Sequence, residues 1–220
     1  MNKIVKFSAI ALLSMTTSLM AQKSFQGASV ALTTSLVGAE AKGNVTSSDA
    51  ASNSDSGSVG RIGAFAGVDA AYTVGAGTNG FFGFGATYIP IKAELAAATG
   101  GNKSDGVTTT NSGKAEIKDY YTLYIQPGYA INNTAAIYAK ALYASAKLDV
   151  SGATSASKTL EGWGGGIGLK TFLDKNLFIQ TELNYTEFDS VTVTGTGNLA
   201  GTVTAKPKIA GGTINIGYQF

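Results

Sequence analysis

The sequence predicts an all-β protein: an eight-stranded antiparallel up-and-down transmembrane β-barrel preceded by a signal peptide. Three observations lead there. Eight stretches alternate apolar and polar residues with a period of two, the mark of a strand between two environments. Their connections are alternately long and short, the rhythm of barrels with short turns on one side of a membrane and long loops on the other. No run reaches the roughly 18 apolar residues of a membrane helix, yet each strand carries a continuous apolar face.

The first 21 residues read as a signal peptide. Lys3 and Lys6 supply the basic start, an apolar core runs from Phe7 to Leu13, and Ala21 offers the cleavage position. The apolar core is too short to be a membrane anchor. The barrel domain is then residues 22–220. Cleavage removes two lysines and no acid, which brings the 16 basic residues of the chain level with its 14 acidic ones. A neutral chain offers nothing to nucleic acid. The absence of Cys excludes a lipoprotein anchor.

The first strand, residues 26–38, sets Ala28, Val30, Leu32, Thr34 and Leu36 against Gly27, Ser29, Ala31, Thr33 and Ser35. Residues 41–58 are polar and read as a long mobile loop. The second strand, residues 59–74, points Ile62, Val68 and Tyr72 outward and Arg61, Phe65 and Asp69 inward. A tight turn at residues 75–80 leads to a third strand with Phe82, Phe84, Ala86 and Tyr88 outward. The letters Gly75-x-Gly77-x-x-Gly80 match a dinucleotide fingerprint, but a strand follows where the phosphate-binding helix is needed. At Pro90 the alternation slips, as at a bulge or a strand leaving the membrane. Residues 97–114 form the second long loop.

The fourth strand turns Tyr121, Leu123, Ile125, Pro127 and Tyr129 outward. After Asn132-Asn133, the fifth turns out Ile137, Ala139, Ala141 and Tyr143, with Tyr138, Lys140 and Leu142 inside. Residues 149–159 make the third loop. The sixth strand shows Trp163, Ile167 and Leu169 outside and Gly162, Gly164, Gly166, Gly168 and Lys170 inside. The seventh sets Leu177, Ile179, Leu183 and Tyr185 against Gln180, Glu182 and Asn184. The fourth long segment, residues 189–207, is Thr- and Gly-rich and reads as a hairpin that extends the flanking strands above the membrane. The last strand places Ile214, Ile216, Tyr218 and Phe220 on one face.

Eight strands leave an interior just wide enough for side chains to fill. The expected filling mixes small residues with long polar ones, as a polar plug. Charges confined there must be paired, so Arg61, Asp69, Lys140, Lys170 and Glu182 are candidates for an interior ionic network. Glu182 is placed to reach Lys170 on the neighbouring strand and Lys140 across the lumen. Outside, Tyr72, Tyr88, Tyr121, Tyr129, Tyr143, Trp163 and Tyr185 fall near strand ends and are expected to form an interfacial aromatic girdle.

The run Gly162-Trp-Gly-Gly-Gly-Ile-Gly-Leu-Lys, the run Asn176-Leu-Phe-Ile-Gln-Thr-Glu-Leu-Asn-Tyr185, Gln126-Pro-Gly-Tyr129 and the terminal Ile216-Gly-Tyr-Gln-Phe220 resemble the small bacterial outer-membrane β-barrel superfamily of the OmpA/OmpX/opacity type. The resemblance spans residues 22–220. It implies an outer-membrane location with both mature termini periplasmic, outer-membrane lipid as solvent, and a monomer. It also implies that the barrel assembly machinery reads the last strand through Ile214, Ile216, Tyr218 and Phe220. The resemblance fixes architecture far better than activity.

The chain contains no His, which removes Ser-His-Asp catalysis and His-based metal sites and leaves only Ser–Lys or carboxylate chemistry formally open. No cofactor is expected, and the protein reads as a non-enzyme. The expected role is a structural or surface-exposed scaffold whose long extracellular loops mediate interaction with an extracellular ligand, adhesin-like or in envelope integrity. The alternative is a small non-specific diffusion pore gated by the interior ionic network.

Overall fold

The computed structural model describes residues 21–47, 55–90, 92–104, 107–151, 156–195 and 201–220. Residues 1–20, which hold nearly all of the expected signal peptide, lie outside this set, as do the tips of the four long connections. A short 3-10 turn, Ala21–Phe25, precedes ten strand segments. They are β1 (Gly27–Ser47), β2 (Asp55–Ala76), β3 (Gly80–Ile89), β4 (Ala93–Ser104), β5 (Val107–Ala130), β6 (Ala135–Ser151), β7 (Ala156–Phe172), β8 (Leu177–Phe188), β9 (Val191–Gly195) and β10 (Gly201–Gln219). β3 with β4, and β8 with β9, are single barrel strands interrupted once. The barrel therefore has eight strands, antiparallel throughout, and β1 pairs with β10 to close it.

Closure is a demand of the solvent. In hydrocarbon an unpaired N–H or C=O has no water to turn to, so a sheet survives there only with its edges joined. The seam runs from Ser29↔Gln219 to Ser47↔Gly201. The three short connections are held locally. Gly77 adopts φ +73, a left-handed turn conformation that glycine takes without strain. The Asn132 carboxamide oxygen accepts from the Thr134 and Ala135 amides at 2.8 and 2.7 Å. The Asp174 carboxylate accepts from the Lys175 amide at 2.7 Å.

The two faces separate as the alternation requires. On β1, Leu32 and Leu36 are 70% and 62% exposed, whereas Thr33 and Ser35 between them are buried. The same contrast holds for Ile62, Ile167, Leu183, Ile214 and Ile216 against Asp69, Lys140, Lys170, Glu182 and Asn215. Exposed apolar surface on this scale would be untenable in water but is solvated by lipid tails.

Two expectations are corrected. The segments read as mobile loops are largely paired strand. Residues 39–47 continue the ladder to β10 and β2, β4 pairs with β5 out to Ser104↔Val107, and β6 meets β7 up to Val150↔Ala156. Ser, Thr and Gly showed no apolar rhythm there, but the backbone register already set in the membrane carries the pairing outward. The lumen, moreover, is not filled by polar groups alone. Phe25, Phe81, Phe172, Phe178 and Tyr138 form an apolar cluster at the short-turn end. Ile117, Leu142, Leu148, Leu160 and Phe188 form a second one toward the long-loop end. At Pro90 the strand breaks outright, and β4 resumes paired with β5 alone. A further irregularity between Lys118 and Tyr121 places Asp119 at φ 50.

Tyrosines lean across glycines inside. A Cβ on Gly168 would strike the Tyr138 phenol and the Thr181 carbonyl, and one on Gly85 would strike the Tyr124 phenol. The small residue is what lets the large one cross the lumen. Gly168→Val should therefore lower the apparent melting temperature of the folded, heat-modifiable species, with a loss of about 1–3 kcal/mol in denaturant titration. The shift of the gel-resolved folded band with temperature measures it.

Candidate functional site: the interior ionic core and the outer collar

The centre of the lumen is built on β6, β7 and β8. The register Lys140↔Gly166 and Gly166↔Asn184 puts a glycine between the lysine and β8. Lys140 crosses it to Glu182, with Nζ 2.5 Å from Oε2 and both side chains almost fully buried. The Tyr138 hydroxyl donates to the same oxygen at 3.1 Å. Asn184 donates to Glu182 Oε1 at 3.5 Å and to Thr213 Oγ1 at 2.9 Å, and Ser35 and Thr213 share a 3.0 Å hydrogen bond. The Lys140 ammonium also lies 4.2 Å from the Tyr124 ring centroid.

The other expected members are distributed differently. Asp69 forms no salt bridge among the described residues; it accepts from Thr87 at 2.7 Å and from the Tyr124 hydroxyl at 2.9 Å. Lys170 does not reach Glu182. It sits near the short-turn end, donates to Gln219 Oε1 at 2.8 Å, and lies 3.9 Å from the Phe178 ring centroid. The cause is register: Glu182 pairs with Gly168, while Lys170 pairs with Gln180, a step closer to the turn. Arg61 pairs with Ala39 in the ladder, and its side chain lies outside the described residues. The five charges thus resolve into one ion pair, one carboxylate held by hydroxyls, one lysine over aromatic rings, and Arg61.

Sequence reasoning missed the aromatic end. Phe25 is fully buried, stacked 5.6 Å from Phe81 and edge-on 5.2 Å from Phe172, which contacts Phe178 at 6.0 Å. The signal was present. Phe81, Phe172 and Phe178 occupy inward positions of the alternation beside turns.

On the outside, Tyr88↔Tyr121, Tyr143↔Trp163 and Trp163↔Glu187 are cross-strand partners, so these aromatics lie on one side of the lipid-facing band with Tyr185. Tyr143 and Trp163 meet edge-on at 5.4 Å. Tyr72 and Tyr129 lie at the short-turn end, where Tyr72 contacts Phe84 at 5.8 Å and Tyr218 contacts Phe220 at 5.0 Å. Beyond the far row stands a collar of charges on the outer surface. Lys118 bonds Asp149 at 2.6 Å and Lys147 bonds Asp119 at 2.9 Å. Lys206 and Lys208 share Glu187. The hydrogen bond to Asp149 raises the Lys118 pKa, and the same bond lowers that of Asp149.

A closed barrel with a lipid-solvated exterior and aromatic rows at both ends of its apolar band defines an integral outer-membrane protein. The chain belongs to the outer membrane protein beta-barrel domain family, whose profile matches residues 7–220. No curated protein sequence matches it. Among solved structures it is similar to the outer membrane protein OprG from Pseudomonas aeruginosa, at 11% identity and TM-score 0.50, covering 89% of this chain and 96% of that one. The attachment invasion locus protein Ail of Yersinia pestis aligns at 15% identity and TM-score 0.43 over 89% and 99% of the two chains. The outer membrane protease OmpT from Escherichia coli aligns at 8% identity and TM-score 0.49 over 88% and 97%. At such identities the likeness is one of fold.

Removing one partner of the buried pair strands the other in the lumen. Glu182→Ala should cost about 3–5 kcal/mol, whereas Lys140→Met with Glu182→Leu should recover most of that loss. Unfolding of the two variants in the same detergent compares them. At the collar, Lys206, Lys208 and Tyr185 hold the Glu187 carboxyl at about 2, below its ordinary 4.5. The folded form is therefore favoured above pH 4.5, and this contribution fades as pH falls toward 2. Across that window Glu187→Gln should show a flatter loss of thermal stability than the natural chain.

Proposed function

We propose that the protein is a non-enzymatic surface scaffold whose membrane barrel carries four hairpin extensions as its interaction surface. The observation that carries this reading is the lumen. Apolar clusters lie at each end of the buried Lys140–Glu182 pair, a filling that suits a closed plug better than a water path. The paired ladders of β1 with β10 and of β4 with β5 run far past the aromatic row, which suits display on stiff arms more than loose loops. The chain is made with a cleaved signal of residues 1–21, and both mature termini face the periplasm. The last strand, through Ile214, Ile216, Tyr218 and Phe220, is what the barrel assembly machinery reads. The barrel works as a monomer, and an extracellular ligand engages the hairpin tips. The chain has no His, and among the described residues the buried carboxylates Asp69 and Glu182 are engaged with hydroxyls and with Lys140 in contacts that suit packing.

The deciding experiment is single-channel recording on refolded residues 22–220 in a planar bilayer. The scaffold reading expects a protease-resistant, heat-modifiable barrel without stepwise conductance. Reproducible steps that change with Glu182→Gln would replace it with a small gated pore.

A further inference from the structure

Residues 21–26 stand apart from the barrel wall. Ala21–Phe25 form the short 3-10 turn, and among the described residues the ladders begin only at Gly27↔Thr73. The segment is nevertheless seated in the barrel. Phe25 is fully buried and belongs to the apolar cluster at the short-turn end. Its ring stacks on Phe81 of β3 and meets Phe172 of β7 edge-on. β3 and β7 are not neighbours, since β5 and β6 stand between them in the ring. One side chain of the N-terminal turn therefore bridges separate parts of the wall, across the mouth. The cluster at the long-loop end differs: from Ile117 to Phe188 it is drawn from strands alone.

Where the turn joins the wall, Gly27 has φ +111, and a Cβ there would lie 2.6 Å from the Phe220 carbonyl oxygen. The chain folds back into the mouth at a position that suits glycine alone. Beside this hinge stands Gln219, whose Nε2 donates to the Gln26 carbonyl at 3.1 Å and to the Ala28 carbonyl at 3.3 Å. Its Oε1 points the other way and accepts from Lys170 Nζ at 2.8 Å. The lysine thus fixes which end of the carboxamide faces the turn. The same ammonium lies 3.9 Å from the ring centroid of Phe178 and 5.5 Å from that of Phe172, in the wall of the socket that holds Phe25.

We infer that residues 22–26 are a lid on the short-turn mouth of the barrel. It is hinged at Gly27, latched by Phe25 between Phe81 and Phe172, and locked by the chain of bonds from Lys170 through Gln219 to Gln26. The side chains of the strands do not seal this mouth; the lid does. When it lifts, water reaches the lower lumen. Lifting breaks no ladder between strands, so the lid opens while the barrel stays closed, at a local rather than a global cost.

The chain has no Cys, so single cysteines report without background. Ala136→Cys sits in the cluster under the lid and Ala144→Cys in the strand-only cluster, both at fully buried positions. Asn133→Cys, on an exposed turn, gives the unhindered rate. Each is placed in the refolded chain of residues 22–220 in detergent micelles. Both mouths then meet water, so the outcome depends neither on orientation in the membrane nor on the scaffold reading. Labelling by a sulfonated, water-confined maleimide is timed on the heat-modifiable folded band. Ala136→Cys should react about a hundredfold more slowly than Asn133→Cys. Phe25→Ala should speed it about tenfold or more, because two ring contacts that hold the lid are lost. Gln219→Glu should act likewise with Phe25 intact, since a carboxylate pairs with Lys170 and has no N–H for Gln26. Ala144→Cys should stay protected throughout. The lid is overturned if either variant leaves Ala136→Cys as slow as before, or if Ala136→Cys already matches Asn133→Cys in the natural background. Equal gains at Ala144→Cys overturn it too, because they mark a loosened barrel. Where Phe25→Ala forms no folded band, Gln219→Glu decides.

Discussion

The structure depends on one constraint: inside a bilayer the peptide groups have only each other. An open sheet would expose an edge to hydrocarbon, so β1 and β10 must meet, and every other feature follows from that closure. Closure joins the strands into a ring, the strand number sets the bore, and the bore decides which side chains can share the interior. The alternation that looks like a surface pattern in the sequence is the trace of this enclosure. One residue in two must be content with lipid, and the next must fit among neighbours converging from every strand.

The interior solves its filling problem by contrast in size. Glycines on β3 and β7 leave room that Tyr124 and Tyr138 occupy from neighbouring strands. Their hydroxyls then land on Asp69 and Glu182. Charge and bulk are thus placed by the same device. A buried ion pair adds little net stability compared with apolar packing, but it tolerates few alternative arrangements. The apolar clusters on either side exclude water from it and make the arrangement stricter still.

Much of this was legible in the sequence. Period-two patterns gave the strands, their inward and outward faces, and the barrel. The sequence also carried the position of Lys140 and Glu182 within one lumen. Three things were not legible. Which lysine meets Glu182 depends on registers between strands, and a pairing step of two residues moves Lys170 from Glu182 to Gln219. The paired extensions of residues 39–47 and 93–104 carry no apolar rhythm, so their residue types do not announce a strand. Phe25 was passed over because it stands outside any strand, though its ring is fully buried.

Gln219 ties three parts of the chain together. Its carbonyl oxygens accept from Lys170 and from Asn176, while its amide donates to the backbone of Gln26 and Ala28. Gln219 and Gln26 are 193 positions apart, so the knot has nearly the largest sequence separation the chain allows. Loop entropy rises with separation, and contacts of this kind form late. The seam and the aromatic packing around Phe25 meet at this one place, where residues 25–28 join the end of the last strand.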